Sequence, residues 1–373
     1  MSNETKVPGV KRRDFLKVVG ASGAALAATG CLPEDTGKLI PYVQSPDETV
    51  PGVSIYYATT AEGARLPIVD VTHPAFAVTV TDDELAALSD GYVGLQQRSA
   101  VPPQVLEALQ RSQLGRGLFA ASGTYLSGIA TYLLKLGPDN LPDGAGEIDR
   151  RLAASFPALM TRLRLQDMTQ LLADGLTPTL RDARSRPLTL VNLAAGAAAD
   201  SWNALIVLHR AGLLEQRAVS IVAFDREEAG SMFAGRALET LCAQGAPLAG
   251  VNVAFRHELY DWSDANRLVS LLQDTLAATS CAVSSEGGLF EYASDDAVVA
   301  NLRALHECTP RETIVVGSAT REGNLARASQ MATGIPTRPR TLDAFAAIAR
   351  QGGWNVGRVI ARPFSYHLSL HKA

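Results

Sequence analysis

The sequence predicts a doubly wound α/β fold for the C-terminal half of this 373-residue chain, because three features recur there. Short apolar runs alternate with amphipathic stretches of helical length, a loop of small residues follows the first run, and the next two runs end in an acidic residue. Strands that alternate with helices in this way form βαβ units and a parallel sheet. We therefore expect a mainly parallel, seven-stranded sheet with helices on both faces.

The apolar runs of residues 186–373 supply the strands. Five of them are expected to be parallel strands, and they lie in the stretches "LTLVN", "AVSIVAFD", "GVNVAFRHELYDW", "SCAVSSEGGLFEY" and "ETIVVGSATR". Helical patterns separate them, including "GSMFAGRALETLCAQG", "SDANRLVSLLQDTLAA" and "SDDAVVANLRALHE". The last stretch, "WNVGRVIARPFSYHLSLHK", splits near Pro363 into two runs that we expect to close the sheet as an antiparallel pair.

Residues 66–185 are expected to form an N-terminal helical cap beside this sheet. In "TDDELAALSDGY", Thr81 followed three residues later by Glu84 is typical of a capping box. "PPQVLEALQRSQLG" has Pro at its start and Gly at its end, as one helix would. Two further helical patterns follow, "TYLSGIATYLLKLG" and "SFPALMTRLRLQDMTQLLADGL".

Residues 1–31 have the features of an export signal. Arg12 and Arg13 precede a run over residues 18–30 that is too short and too weakly apolar to span a bilayer. The stretch resembles a twin-arginine signal, which exports folded proteins in bacteria. Residues 28–31 resemble a lipobox, which implies a lipid anchor to the membrane through Cys31. The alternative is a cytoplasmic protein with a basic, disordered start. Residues 32–65, punctuated by prolines, are expected to be a linker.

Residues 11–60 also resemble the leader of the large iron–sulfur, molybdopterin-oxidoreductase-like subunit of bacterial alternative complex III. The chain has four widely spaced cysteines without a CxxC pair, so it lacks the clustered cysteines of iron–sulfur and zinc sites. The resemblance is therefore that of a leader, and association with a respiratory redox complex is a remote alternative. The net charge of −4 provides no basic surface for nucleic acid. We expect neither a metal site nor a nucleic-acid partner.

The ends of the first three C-terminal strands are the expected ligand site. In open α/β sheets, ligands bind beyond the carboxyl ends of the strands, near the point where the strand order reverses. The small residues of the loop over 192–200 let the backbone approach a ligand closely. Asp225, at the end of the second strand, is placed to accept hydrogen bonds from ribose hydroxyls. Asp261 and Trp262, at the end of the third, offer an acid and an apolar face to an adenine.

With these features in place, residues 186–373 resemble the class I S-adenosylmethionine-dependent methyltransferases. The first motif of that family is an acid and three glycines at alternate positions, where this chain has Asn192, Ala194, Gly196 and Ala198. "SSEGGLFEY" is similar to a segment of carboxyl methyltransferases. The resemblance implies a Rossmann-like sheet with S-adenosylmethionine as cofactor. It implies cofactor contacts from Asn192, Ala194, Gly196, Asp200, Asp225, Asp261 and Trp262.

Two other function classes compete with this interpretation. An NAD-dependent dehydrogenase needs G-x-G-x-x-G, which "NLAAGAAADSW" lacks, and Asp200 at the helix start would repel a phosphate. S-adenosylmethionine has no phosphate and is cationic near its sulfur, so an acid there favours it. The second competitor is an exported, non-catalytic Rossmann-like binding module, since the glycine loop has kept only one of its three glycines.

Three residues are candidates for catalysis. Methyl transfer is an in-line displacement from an activated sulfonium, so alignment supplies most of the rate. A base is needed only where the acceptor must lose a proton. Glu286 and Tyr292 follow the fourth strand and His257 lies near the end of the third, so all three are expected to face the methyl group. The sequence does not identify the methyl acceptor, whether small molecule or protein.

Overall fold

The computed structural model describes residues 54–96, 103–183, 185–273, 276 and 279–373. The expected signal, with Arg12, Arg13 and Cys31, and most of the expected linker lie outside the described residues. The end of that linker forms strand β1 (Tyr57–Thr59), which pairs antiparallel with β2 (Arg65–Pro67). This small hairpin contacts the C-terminal half through the Tyr56 hydroxyl, which donates to the carbonyl oxygen of Gly245 at 2.8 Å.

Helices fill most of the region that was expected to be a cap. They are α1 (Asp82–Gln96), α2 (Pro103–Arg111), α3 (Gln113–Ala121), α4 (Gly128–Leu136), α5 (Glu147–Ala153) and α6 (Phe156–Asp182). The capping box predicted before α1 is present: the Thr81 amide donates to Glu84 Oε2 at 2.8 Å, and the Glu84 amide donates to Thr81 Oγ1 at 3.2 Å.

The single helix expected from "PPQVLEALQRSQLG" is two helices, α2 and α3. Ser112 separates them, because its Oγ accepts the Gly115 amide at 3.0 Å and so begins a new helix. Gly115 therefore does not end a helix. It lies in the first turn of α3, where a Cβ would be only 2.0 Å from the carbonyl oxygen of Leu109.

The C-terminal half contains the predicted seven-stranded sheet. Its strands are β3 (Leu188–Leu193), β4 (Ala218–Asp225), β5 (Asn252–Leu259), β6 (Ser280–Ser285), β7 (Ile314–Thr320), β8 (Trp354–Ala361) and β9 (Ser365–Lys372). The order is β5-β4-β3-β6-β7-β9-β8. Strands β3 to β7 are parallel, and β9 runs antiparallel to both β7 and β8. The doubly wound, mainly parallel, Rossmann-like sheet with a C-terminal antiparallel pair is confirmed.

Helices cover both faces of the sheet, because successive strand residues point to opposite sides. Leu188 and Leu190 of β3 pack in one core with α6, α7 (Ala199–Arg210) and α8 (Glu228–Leu241). Val191 and Leu193 pack in a second core on the other face. That face is covered by α9 (Ala265–Gln273), α11 (Asp295–Cys308) and α13 (Leu342–Gln351).

Three helices of the C-terminal half were not singled out by the sequence analysis, and neither was α5 of the N-terminal half. Helix α10 (Leu289–Tyr292) is a single turn after β6, while α12 (Asn324–Thr333) and α13 lie between β7 and β8. Helix α13 begins with an N-cap residue, because Thr341 Oγ1 accepts a hydrogen bond from the Ala344 amide at 3.1 Å.

Helix α6 lies directly on the sheet, although its sequence was expected to belong to the cap. Its buried residues, including Met168, Leu172 and Leu176, pack in the same core as β3. Asp167 of α6 accepts hydrogen bonds from Arg362 Nε (2.7 Å) and Nη2 (2.9 Å), and its Oδ2 lies 2.8 Å from His367 Nδ1. Helix α6 is thus fixed to the β8–β9 pair. Across the described part of the chain, each helix is too short or too polar to span a bilayer.

Candidate functional site

The site lies at the carboxyl edge of the sheet, where the strand order reverses between β3 and β6. The loop after β3 and the loop after β6 meet there. A Cβ on Gly288 would lie 2.4 Å from the Cβ of Ala194, so the second loop can approach the first only through a glycine. A crevice opens between these two loops, the end of β4 and the cap.

The loop after β3 keeps a left-handed backbone at alternate positions. Ala194 has φ 53°, Gly196 has φ 50° and Ala198 has φ 51°. This conformation costs an L-residue about 1–2 kcal/mol, so the two alanines are held there by surrounding contacts. Gly196 is packed between the backbones of Gly128 and Gly230, and a Cβ on Gly230 would come within 2.5 Å of its carbonyl carbon.

Asp225 ends β4 and supports this loop. Its Oδ2 accepts the Gly196 amide at 2.8 Å, and its Oδ1 accepts the Glu227 amide at 2.8 Å. Asp225 lines the crevice, and its contact with a cofactor stays a prediction. His257, on the neighbouring strand, places Nε2 3.2 Å from the backbone oxygen of Asp225. Its ring therefore packs beside the strand end and not among the described residues that line the crevice.

Asp261 and Trp262 follow β5. Trp262 lines the crevice, whereas Asp261, the residue before it, is not among the described residues that line it. The Asp261 Oδ1 accepts the Ser263 amide at 2.9 Å and the Ser263 hydroxyl at 2.7 Å, and Arg226 Nε is 3.3 Å from Oδ2. The hydrogen bonds from Ser263, together with the charge of Arg226, hold the pKa of Asp261 below its ordinary value.

Asn192 and Asp200 lie beneath the loop and are fully buried. Asn192 Nδ2 donates to Asp200 Oδ1 at 2.7 Å, and the Ser201 amide donates to the same oxygen at 2.9 Å. Burial raises the pKa of Asp200 to about 6, with a further contribution from the charge of Glu286. These two residues therefore support the loop from below and do not line the crevice. The other two motif positions, Ala194 and Gly196, do line it.

Glu286 lies at the inner end of the crevice in a buried network of charges. Its Oε2 is 2.6 Å from Lys135 Nζ and its Oε1 is 3.1 Å from Arg164 Nε. Burial alone would raise its pKa, but Lys135 and Arg164 together hold the pKa below its ordinary value. Glu291, on α10, accepts a hydrogen bond from Arg164 Nη1 at 3.3 Å. The network therefore contains two cations and two carboxylates.

Tyr292 lines the crevice opposite Trp262, with Tyr125 of the cap between them. The Tyr125 ring contacts Trp262 edge-to-face at a centroid distance of 6.1 Å and Tyr292 at 6.2 Å. Burial raises the pKa of both the Tyr125 and the Tyr292 phenol, so each is a neutral hydrogen-bond donor at pH 7.

Sequence reasoning missed the residues that the cap and α6 contribute to this site. Tyr125, Gly128, Lys135 and Arg164 reach it from far along the chain, so no local spacing relates them to Glu286 or Trp262. One signal was present: Lys135 is the only cation of the apolar helix "GIATYLLKL", and a buried ammonium needs a partner of opposite charge.

The crevice has a free volume of about 60 Å³. A larger groove of about 560 Å³ lies elsewhere, between α1 and the segments over 321–325 and 361–363. Asp225 and Trp262, at two strand ends, line the small crevice and not the large groove, so the small crevice is the candidate site.

Comparison with known proteins places the fold. No family model matches the sequence, and no curated protein matches it. A solved structure described as a possible exported protein from Bordetella parapertussis is 19% identical with a TM-score of 0.52, and the match covers 79% of this chain and 100% of that one. A pyocyanin biosynthetic protein (18% identity, TM-score 0.40, 73% and 68% coverage) and a mitomycin 7-O-methyltransferase (14%, 0.38, 78% and 75%) also match. The similarity to the Bordetella protein shows a shared fold.

Proposed function

We propose that the protein binds S-adenosylmethionine in the crevice at the switch point and transfers its methyl group to an acceptor. The observation that carries this proposal is the convergence of three strand ends. The left-handed loop around Gly196, the acid Asp225 and the ring of Trp262 line one crevice. A nucleoside with a cationic tail needs these groups: a close backbone, an acceptor for hydroxyls and an aromatic face.

The chemistry of these residues fits the cofactor, whereas the space in this conformation does not. Each Asp225 oxygen accepts one amide and keeps a second lone pair for a hydroxyl. Glu286 stays ionised and suits a cation. The free volume of about 60 Å³, however, is far below the roughly 300 Å³ at which ligand pockets begin. Binding therefore requires the cap residues that fill the crevice to move.

The chain's own residues suggest how an acceptor is handled. The bound cofactor supplies an already activated methyl group, so the protein's task is to align the acceptor and exclude water. Tyr292, protonated and facing the crevice, would donate a hydrogen bond to an acceptor oxygen. Glu286, held ionised by two cations, is a weak base and serves charge balance better than proton removal. His257 is directed at a backbone oxygen and takes no part in this scheme.

Calorimetric titration of the full chain with S-adenosylmethionine tests the proposal. Asp225→Ala removes a charged acceptor, and hydrogen bonds to charged groups are worth about 1.5–3 kcal/mol, so affinity should fall roughly 10- to 150-fold. Asp225→Asn is the matched control, because it keeps the shape and one acceptor oxygen and should show an intermediate loss. Equal affinity of all three proteins would show that Asp225 does not hold the cofactor.

A second candidate function is that of an exported, non-catalytic binding module. The filled crevice favours it, since Gly128 packs on Gly196 and Lys135 already neutralises Glu286. The same titration separates the two functions. A folded protein that releases no heat with S-adenosylmethionine or S-adenosylhomocysteine, even when its crevice has been opened by mutation, would support the module.

For localisation, we propose export by the twin-arginine route with a lipid anchor at Cys31. The leader sequence supports it, and so does the fold shared with the possible exported protein of Bordetella parapertussis. The alternative is an enzyme that stays in the cytoplasm, because S-adenosylmethionine is made there. Association with a respiratory redox complex has only the leader in its favour.

A further inference from the structure

The segment of the cap from Tyr125 to Lys135 follows the length of the crevice. Tyr125 stands at the Trp262 end and Lys135 at the Glu286 end. Gly128, between them, lies against the Gly196 backbone, where a Cβ on Gly128 would be 2.7 Å from the Gly196 Cα. Along the segment, an aromatic ring, a close backbone contact and a cation follow one another. They face, in the same order, the Trp262 ring, the Gly196 backbone and the Glu286 carboxylate of the crevice.

At the outer end, the Tyr125 ring fills the space between the two aromatic walls. Its edge-to-face contacts with Trp262 and Tyr292 are those of a packed aromatic cluster. The Gly128 amide donates to Glu227 Oε2 at 3.1 Å and so ties the start of α4 to the segment after β4. An incoming planar base could not reach the face of Trp262 without moving this ring.

At the inner end, the Lys135 ammonium is the charge partner of Glu286. Lys135 is 5% exposed and its Nζ lies 2.6 Å from Oε2. Arg164 contacts the other oxygen of the same carboxylate, so Glu286 is left with no charge to offer a ligand. A cationic ligand would have to replace Lys135 at Oε2.

We infer that Tyr125 and Lys135 are an internal occupant of the crevice: the Tyr125 ring takes the place of the ligand's aromatic base, and the Lys135 ammonium takes the place of its cationic group. The identity of that ligand rests on the proposed function, whereas the occupancy itself does not. The occupant explains why the crevice has groups suited to a ligand and yet a free volume of only about 60 Å³. It lowers the apparent affinity for ligand by the fraction of molecules in which the crevice is open.

The parts that must move are separable from the body of α4. Tyr132 fixes that helix, since its hydroxyl accepts the Val69 amide at 2.9 Å and donates to the Pro67 carbonyl at 2.8 Å. The segment that carries Tyr125 is tied less firmly. It begins at Gly123, which has φ 80° and donates to the Gly334 carbonyl, and it ends at the α4 cap Ser127. Opening therefore involves residues 123–127 and the long side chain of Lys135.

Trp262 provides a readout that needs no ligand. The other two tryptophans, Trp202 and Trp354, are fully buried, so acrylamide quenching of the intact protein reports mainly on the half-buried Trp262. Tyr125→Ala should increase the quenching constant of Trp262 about twofold or more. Tyr125→Phe keeps the ring and is the matched control, and it should quench as the parent does. Unchanged quenching in Tyr125→Ala would overturn the inference whatever the ligand does.

Titration with S-adenosylmethionine then tests the competition. Tyr125→Ala and Lys135→Met should each bind about tenfold or more tightly than the parent, because each removes one half of the occupant. In Lys135→Met, Arg164 still contacts Glu286 Oε1, so the carboxylate keeps one partner while Oε2 becomes free for a cationic ligand. Weaker binding by either variant would show that its side chain holds the ligand and would overturn that half. Raised Trp262 quenching with no binding by any variant would uphold the occupant and contradict the proposed cofactor.

Discussion

Asp200 shows at the scale of one residue how position in the fold sets a side chain's chemistry. The sequence placed it beside a cationic cofactor, but it lies below the loop, fully buried and bonded to Asn192. Its pKa is raised to about 6 because burial penalises the carboxylate. In the unfolded chain its pKa is about 3.9, so between these two values the native state binds more protons than the unfolded state. Its contribution to stability therefore declines as pH rises from 4 to 6.

We predict that Asp200→Asn stabilises the protein at pH 7.5 relative to the parent, and that this advantage shrinks towards pH 4.5. A shift of about two pKa units corresponds to about 3 kcal/mol at most. Asparagine keeps an oxygen that can accept from Asn192 and from the Ser201 amide. Urea unfolding of both proteins at the two pH values measures the difference. A difference that is the same at both would mean that Asp200 titrates normally.

The sequence identified the strand-end residues of the site and not those of the cap. Asp225 and Trp262 line the crevice because they follow strands, and a strand and its end are readable from an apolar run. Tyr125 meets Trp262, and Lys135 meets Glu286, only through tertiary packing across more than 120 residues. The buried position of Asn192 and Asp200 could not be predicted either, because a loop motif does not determine which side chains point into the space between helix and sheet.

At the scale of elements, buried polar contacts join α6 to the β8–β9 pair. Asp167 receives two hydrogen bonds from Arg362 and contacts His367, which is fully buried. Asp174, two turns along the same helix, pairs with Arg358 of β8 in a far more exposed position. The two ion pairs join the same elements and differ in burial.

We predict that Asp167→Asn lowers the free energy of unfolding by about 3 kcal/mol, because breaking a buried pair leaves a charge without its partner. Asp174→Asn is the matched control and should cost less than about 1 kcal/mol, as exposed pairs do. Chemical denaturation at pH 7 compares them. Equal losses would mean that burial does not strengthen the Asp167 tie.

Element prediction succeeded where hydrophobic pattern and length agreed. All seven strands of the large sheet were expected from apolar runs, and the five expected to be parallel are parallel. Helix α13 was missed although "TLDAFAAIAR" begins with a threonine cap. The break between α2 and α3 was missed because Ser112 is a weak signal until its hydroxyl is seen to accept the Gly115 amide.

At the scale of the whole molecule, the sequence joins a stretch that resembles an export leader to a doubly wound α/β fold. A twin-arginine route carries folded proteins, and we propose that a domain whose crevice is filled by its own side chains suits that route. We predict that changing Arg12 and Arg13 to Lys retains the protein in the cytoplasm, because the substitution keeps the charge and removes the guanidinium pair.

Cys31→Ala is the companion variant, and it should leave export intact while releasing the mature protein from the membrane. Cell fractionation of the parent and the two variants measures both effects. Cytoplasmic recovery of all three proteins would contradict export and favour an intracellular methyltransferase.

Hydrogen exchange of the full chain, with and without S-adenosylmethionine, tests the central claim most directly. The claim is that the cofactor and the cap side chains compete for one crevice beside Gly196 and Asp225. With cofactor, peptides over residues 123–127 should exchange faster as Tyr125 leaves, while those over 192–198 should exchange more slowly. Slower exchange over 123–127, or no change in either segment at saturating cofactor, would contradict the account.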